Sequence, residues 1–187
     1  DLLNHIGKIT DFTMHFPLAS QQIFEYRNKM EFSFSDKRWL LPNERDEKKD
    51  NNRFALGLHV PGTFDKIIDI EGCLLQKEKG NEILREAKRY IRESGIPVYG
   101  LKTHHGFWRY LMLRHSYFFD EWMVNIITSE ERDTPIQALA SILRNRFKEI
   151  VSIVNNINTR KGGTAVGEWE RIVVGDGNIK DKIGPFT

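Results

Sequence analysis

Two adjacent histidines, His104 and His105, stand just ahead of the run GFWRYLMLR (106–114). Imidazoles ligate metals and move protons, but neighbours in an extended segment point to opposite sides, and no nearby cysteine or carboxylate completes a ligand set. A polar loop carrying a substrate contact is the expected role. Within the run, Arg109 and Arg114 lie five positions apart, which on a regular strand puts them on opposite faces. Arg109 then shares a face with Phe107, Leu111 and Leu113, and Arg114 with Trp108, Tyr110 and Met112. Each is either an anion-binding group or a strand arginine whose stem covers apolar surface.

Cys73, in DIEGCLLQ, is the sole cysteine. One thiol closes no internal disulfide and holds no metal alone, and a small buried hydrophobe is its usual role. Asn155, Asn156 and Asn158 lead into TRKGGT (159–164), a basic, glycine-rich connection. Its backbone N–H groups could meet phosphate, although a flexible surface loop is the plainer expectation. In FEYRNKMEFSFS (24–35), Phe24, Tyr26, Met30, Phe32 and Phe34 alternate with Glu25, Arg27, Lys29 and Glu31, and Asn28 falls in the apolar register. That period of two reads as a strand, with charges free to pair across the sheet.

The elements that must position these residues follow from pattern. RFALGLHV (53–60) and FDKIIDI (64–70) form a hairpin across Pro61-Gly62. Ile83, Leu84, Ala87, Tyr90 and Ile91 make one stripe at helical period, ended by Gly95 and Pro97. The runs 106–114 and 121–128 predict a second hairpin. Thr134 reads as a helix cap ahead of Pro135 and the stripe Ile136, Leu139, Ala140, Leu143, Phe147. A strand at 150–157 and two short strands around Gly175-Asp176-Gly177 complete the chain, and PNERDEKKDNN (42–52) should be a solvated loop.

Hairpins dominate, so the predicted fold is a single α+β domain over 1–187, with a mostly antiparallel sheet and two main helices packed on it. The one GxG motif has no helix after it, so no dinucleotide or S-adenosylmethionine (SAM) site is expected in this chain. With 40% hydrophobic and 29% charged residues and a net charge of +2, global disorder is excluded, and any nucleic-acid contact must come from a local patch. No apolar run nears the roughly 20 residues of a membrane helix. The absence of an initial methionine and the abrupt end at GPFT suggest a piece of a longer protein.

YRNKMEFSFS, LGLHVPGTFDKIIDIEGCLLQ, HHGFWRYLMLR, MVNIIT and NNINTRKGG, in this order and spacing, resemble the central region of the RNA (uracil-5-)-methyltransferase family, from about residue 15 to the C-terminus. Those enzymes make 5-methyluridine in 23S rRNA and tRNA. The resemblance implies a three-part protein: an N-terminal OB-like RNA-binding domain, this central α+β domain, and a C-terminal SAM-binding catalytic domain. The family's cysteine nucleophile, its base and its SAM residues would lie beyond Thr187. No catalytic residue is therefore carried over, and this piece alone is expected to be inactive.

Cys73 matches not the nucleophile but the fourth ligand of the [4Fe–4S] cluster that some members carry, whose three partners would precede Asp1. No cluster is expected on this chain alone, although the full-length protein would use SAM and, in such members, the cluster. Arg27 and Lys29 match the basic positions of the family's YRNK-like motif, and Arg109 and Arg114 those of its H-x-G-x-x-R block. These four are the expected RNA contacts, with Asn28 held in the apolar layer by hydrogen bonds that fix the strand. The implied partner is RNA, rRNA in preference to tRNA, in the cytoplasm and without a membrane. Two other readings compete: a stand-alone RNA-binding or scaffold module without the chemistry, and an α+β interaction domain that binds no RNA.

Overall fold

The computed structural model of the chain describes residues 2–41, 44 and 53–186. The expected loop at 42–52 therefore lies, apart from Glu44, outside the described residues. A short helix α1 (Leu2–His5) is followed by β1 (Lys29–Ser35), β2 (Arg38–Trp39), β3 (Ala55–His59), β4 (Ile67–Asp69) and α2 (Glu78–Glu93). Then come β5 (Trp108–His115), β6 (Trp122–Thr128), α3 (Asp133–Arg146), β7 (Ile150–Ile157) and β8 (Trp169–Val174). The strands form one sheet in the order β2-β4-β3-β1-β5-β6-β7-β8.

The fold is α+β, as the pattern predicts, and five of the seven strand pairs are antiparallel. The pairs β2–β4 and β6–β7 are parallel. The second follows from connection length: α3 fills the link between β6 and β7, and a crossover of that size returns the chain in the same direction.

One face of the sheet carries the main core. Met30, Phe32, Phe34, Leu111, Leu113, Val124, Ile126 and Ile153 pack there against Ile83, Leu84, Ala87 and Ile91 of α2 and Ile136, Leu139, Ala140 and Leu143 of α3. Both predicted helical stripes are thus the buried ones. Ion pairs join the elements: Glu86 of α2 meets Arg146 of α3, and the buried Lys88 ammonium of α2 lies 2.9 Å from Oδ1 of Asp69, the last residue of β4. The opposite face holds a small cluster of Tyr110, Met112 and Ile127, partly covered by Ala165.

Several local expectations change. Helix α3 begins at Asp133 with Arg132 in the capping position and no side-chain cap, so Thr134 lies inside the first turn. The tail after Gly177 adds only an isolated bridge, Ile183–Phe186, rather than a second strand. The alternation of FEYRNKMEFSFS holds only from Lys29 onward. Glu25 has φ 58°, outside strand geometry, and the chain ahead of β1 runs instead beside residues 74–75, with Glu25 N donating to Leu74 O and Arg27 N to Leu75 O. Phe24 and Tyr26 are consequently 54% and 56% exposed rather than in the core. The Asn28 side chain is exposed too, and only its carbonyl serves the sheet, accepting from His115 N at 2.8 Å. No helix among the described residues is long and apolar enough to cross a membrane.

His115 closes β5 in a buried position, its ring 4.6 Å from that of Trp122 and its Nε2 2.9 Å from Asp120 Oδ1. Lys77 and Asp181 also face it. Burial pushes the imidazole below its ordinary value, a shift that the Asp120 hydrogen bond opposes but does not cancel. The unfolded chain therefore binds the proton more readily. This contribution to stability is complete above the usual histidine value of about 6.5 and is lost as pH falls below it. Urea unfolding at pH 7.5, 6.5 and 5.5 should show stability dropping across that window in the wild type, with a flatter profile in His115→Gln.

Candidate nucleic-acid interface

Two regions on β5 collect the residues of interest. At its C-terminal end, Arg114 is the direct cross-strand partner of Lys29 on β1. Both side chains are exposed, as is Arg27, whose Nε donates to the Lys29 carbonyl at 3.0 Å. None of the three forms a side-chain ion pair among the described residues. Like charges directly opposite on a sheet are unfavourable, by roughly 0.2–1 kcal/mol, and an anion bound across them removes that cost. Glu31 follows on the same face, opposite Met112. The sheet thus brings Arg114 to Arg27 and Lys29, from which it lies more than eighty residues away in the sequence.

Arg109 sits elsewhere and does something else. It is 2% exposed and engaged within the fold, whereas an exposed RNA contact was the expectation for this residue. The cause is a β-bulge: Trp108 pairs with Thr128 and Tyr110 with Ile127, leaving Arg109 as the extra residue. The bulge also changes the predicted faces at Trp108 and Arg109, while Phe107, Leu111 and Leu113 on one side and Tyr110 and Met112 on the other stand as predicted. Trp108 joins Leu111 and Leu113 in the main core, while Tyr110 and Met112 form the cluster on the other side.

The Arg109 guanidinium stacks 4.2 Å from the Tyr99 ring centroid. Nη1 donates to the carbonyls of Asn158 (2.5 Å) and Arg160 (2.6 Å), and Nη2 to that of Gly162 (2.5 Å). A planar guanidinium serves three carbonyls at once, and charged donors make such bonds stronger than neutral ones.

The segment after β7 is therefore not a loose loop. Asn158 is fully buried; its Nδ2 donates to Thr164 O and its Oδ1 accepts from Arg160 N. Asn155 Nδ2 donates to Ile126 O and Thr128 Oγ1, and Asn156 Nδ2 to Asn125 Oδ1, so these asparagines hold the β6–β7 region together. Thr159 donates through N and Oγ1 to Glu168, and those bonds, with Arg160 beside them, hold the Glu168 carboxyl below the usual range. The opposite wall is the turn holding His104 and His105, both exposed. His104 Nδ1 lies 3.4 Å from the Tyr99 hydroxyl, and its φ of 57° is a left-handed conformation. Gly106 (φ 118°) closes the turn, where a Cβ would stand 2.1 Å from the Val98 carbonyl oxygen.

Cys73 is half-buried against the main core, its N–H donating to Asn81 Oδ1 at 2.8 Å, next to the stretch that pairs with residues 25–27. With a single cysteine in the sequence, and no group of three or more metal-ligating side chains among the described residues, this chain's own residues do not make up a [4Fe–4S] site.

No family model matches the chain. Curated relatives do. An uncharacterized RNA methyltransferase of Chlorobaculum tepidum is 38% identical over 98% of this chain, and one of Porphyromonas gingivalis is 35% identical over 91%. The chain spans 39% and 37% of their respective lengths. It is thus a homologue of proteins named RNA methyltransferases over nearly all of its own length. Among solved structures, the tRNA (uracil-54, C5)-methyltransferase of Pyrococcus abyssi, in complex with S-adenosyl-L-homocysteine, superposes with a TM-score of 0.62 at 26% identity. That match covers 89% of this chain and 35% of the other. These comparisons support the resemblance read from the motifs: the relatives are named RNA methyltransferases, and the solved structure of similar fold is a tRNA uracil-5 methyltransferase.

Removing the Arg109 fork should free the loop that it holds. In Arg109→Met, amide exchange across residues 158–164 should accelerate by about tenfold or more, because three carbonyls lose charged donors. Arg109→Lys should restore only part of the protection, since one ammonium lacks the fork geometry. Hydrogen exchange read by mass spectrometry checks both.

Proposed function

We propose that this chain is the central, RNA-contacting domain of a SAM-dependent RNA (uracil-5-)-methyltransferase, with 23S rRNA as its substrate. The single observation that carries the RNA contact is the cross-strand pair Lys29–Arg114 with Arg27 beside it: cations held together on a sheet face with no carboxylate partner among the described residues. In this reading they take the phosphates flanking a uridine that has left its stack, since a base must be extruded before an enzyme can act on it. Arg109 orders the neighbouring loop rather than touching RNA.

SAM supplies the methyl group when bound to the whole protein, and no residue described here is assigned to it. The nucleophile and the base belong to a part of the protein outside this chain, so the domain alone contributes binding and no methyl transfer. An N-terminal OB-like domain and a C-terminal catalytic domain complete the proposed protein, which acts in the cytoplasm. Cys73, in this reading, is a cluster ligand only where upstream cysteines accompany it. The neighbour of similar fold acts on tRNA, so tRNA is the alternative substrate.

Mass spectrometry of rRNA and tRNA from a deletion strain should reveal loss of one 5-methyluridine, in 23S rRNA; loss from tRNA would reassign the substrate, and no loss would overturn the enzyme. For the intact protein, Lys29→Ala/Arg114→Ala should weaken RNA binding. The same substitution should reduce the slope of log affinity against log salt by roughly 1.4–1.8, the value for two lost phosphate contacts. Unchanged affinity and slope would remove these residues from the interface.

A further inference from the structure

Two clefts open side by side at the N-terminal end of β5. One, of about 410 Å³, is walled by Tyr99, His105, Phe107 and Arg132. The other, of about 550 Å³, is walled by His59, Phe64, Leu101 and Gly163. His104 and Lys161 line both, so they form the ridge between them.

Each cleft presents an exposed flat ring: Phe64, 67% exposed, in the larger, and His105 in the smaller. The ridge presents charge. Lys161 is exposed and forms no ion pair among the described residues, and His104 spends only Nδ1 on a protein group. The carboxylates nearby are already engaged, Glu130 by Arg132 and Asp65 by Lys102. Both walls are held in place before any ligand arrives, because Arg109 ties the Lys161 loop to its own guanidinium and stacks on Tyr99, which in turn meets His104.

We infer that these clefts are adjacent nucleotide subsites for an unpaired stretch of RNA, one base entering each and the phosphate between them resting on the Lys161–His104 ridge. The inference rests on the RNA reading above and adds a second contact region, about 17 Å along β5 from Arg114. Unpaired RNA fits because a stacking ring accepts any base, whereas an A-form duplex keeps its bases inside and presents mainly backbone and shallow-groove groups. Uncompensated Lys161 between two flat rings matches the alternation of phosphate and base along a single strand.

The test uses the intact protein, an end-labelled octauridylate, and an RNA duplex of equal length. Lys161→Ala and Phe64→Ala, both at exposed positions, should each weaken octauridylate binding by roughly tenfold, as loss of one stack or one phosphate contact does. Lys161→Ala should also lower the salt slope by about 0.7. Duplex binding and the thermal midpoint should not move. With 4-thiouridine in the strand, photo-crosslinks on the wild-type protein should map to residues 102–108 and 158–165.

Unchanged octauridylate affinity in both variants, with crosslinks elsewhere and binding still dependent on Lys29 and Arg114, overturns the clefts and leaves the RNA reading standing. Preference for the duplex also overturns the clefts. A wild-type protein that binds no RNA of either form overturns both.

Discussion

One extra residue in a central strand governs the functional end of this domain. Strand β5 lies in the middle of the sheet, bonded to β1 on one side and β6 on the other, so its side-chain register decides what each face receives. The bulge at Arg109 lets Trp108 enter the main core with Leu111 and Leu113, and it turns a guanidinium toward the chain that leaves β7. A regular strand would have set Trp108 beside Tyr110 and aimed Arg109 with the leucines at the helices. The buried charge is tolerated because loop carbonyls surround it, and those carbonyls are ordered because the charge is there.

From this follows a division of labour among the cations. Arg109, Lys88 and Arg146 are engaged within the fold, by carbonyls, Asp69 and Glu86 respectively. Arg27, Lys29, Arg114 and Lys161 are exposed without carboxylate partners among the described residues. A net charge of +2 conceals this separation entirely. What matters for an anionic partner is which cations the fold leaves uncompensated and on which face, and that is a property of the packed sheet rather than of composition.

Where a sequence signal was local and repeated, it was legible. The stripes of α2 and α3 and the apolar side of β1 from Met30 onward are readable because burial on one side imposes a period, and each period spans several residues. At the start of β1 the same signal misleads: alternation in FEYRN continues upstream of the sheet, but Glu25, with φ 58°, leaves strand geometry, and Phe24 is left exposed. The cap of α3 lies two residues ahead of the predicted Thr134, since Thr134-Pro135 satisfies a capping pattern that the chain does not use. The asparagines of 155–158 read as loop polarity, yet Asn155 is buried with the Ile126 carbonyl and Thr128 hydroxyl of β6 as partners, and Asn158 with Thr164 O and Arg160 N of the loop itself.

By itself the sequence determined the fold class, the two helical faces, the family resemblance and the identity of most exposed cations, all of which depend on local pattern or on motif order. Only the tertiary structure decided that Lys29 and Arg114 stand opposite each other, that Arg109 is buried, and that His104 and Lys161 divide two clefts. Those facts depend on strand pairing between segments far apart in the chain and on a single bulge. A one-residue change in register exchanges the faces of a strand without altering the alternation that the sequence displays.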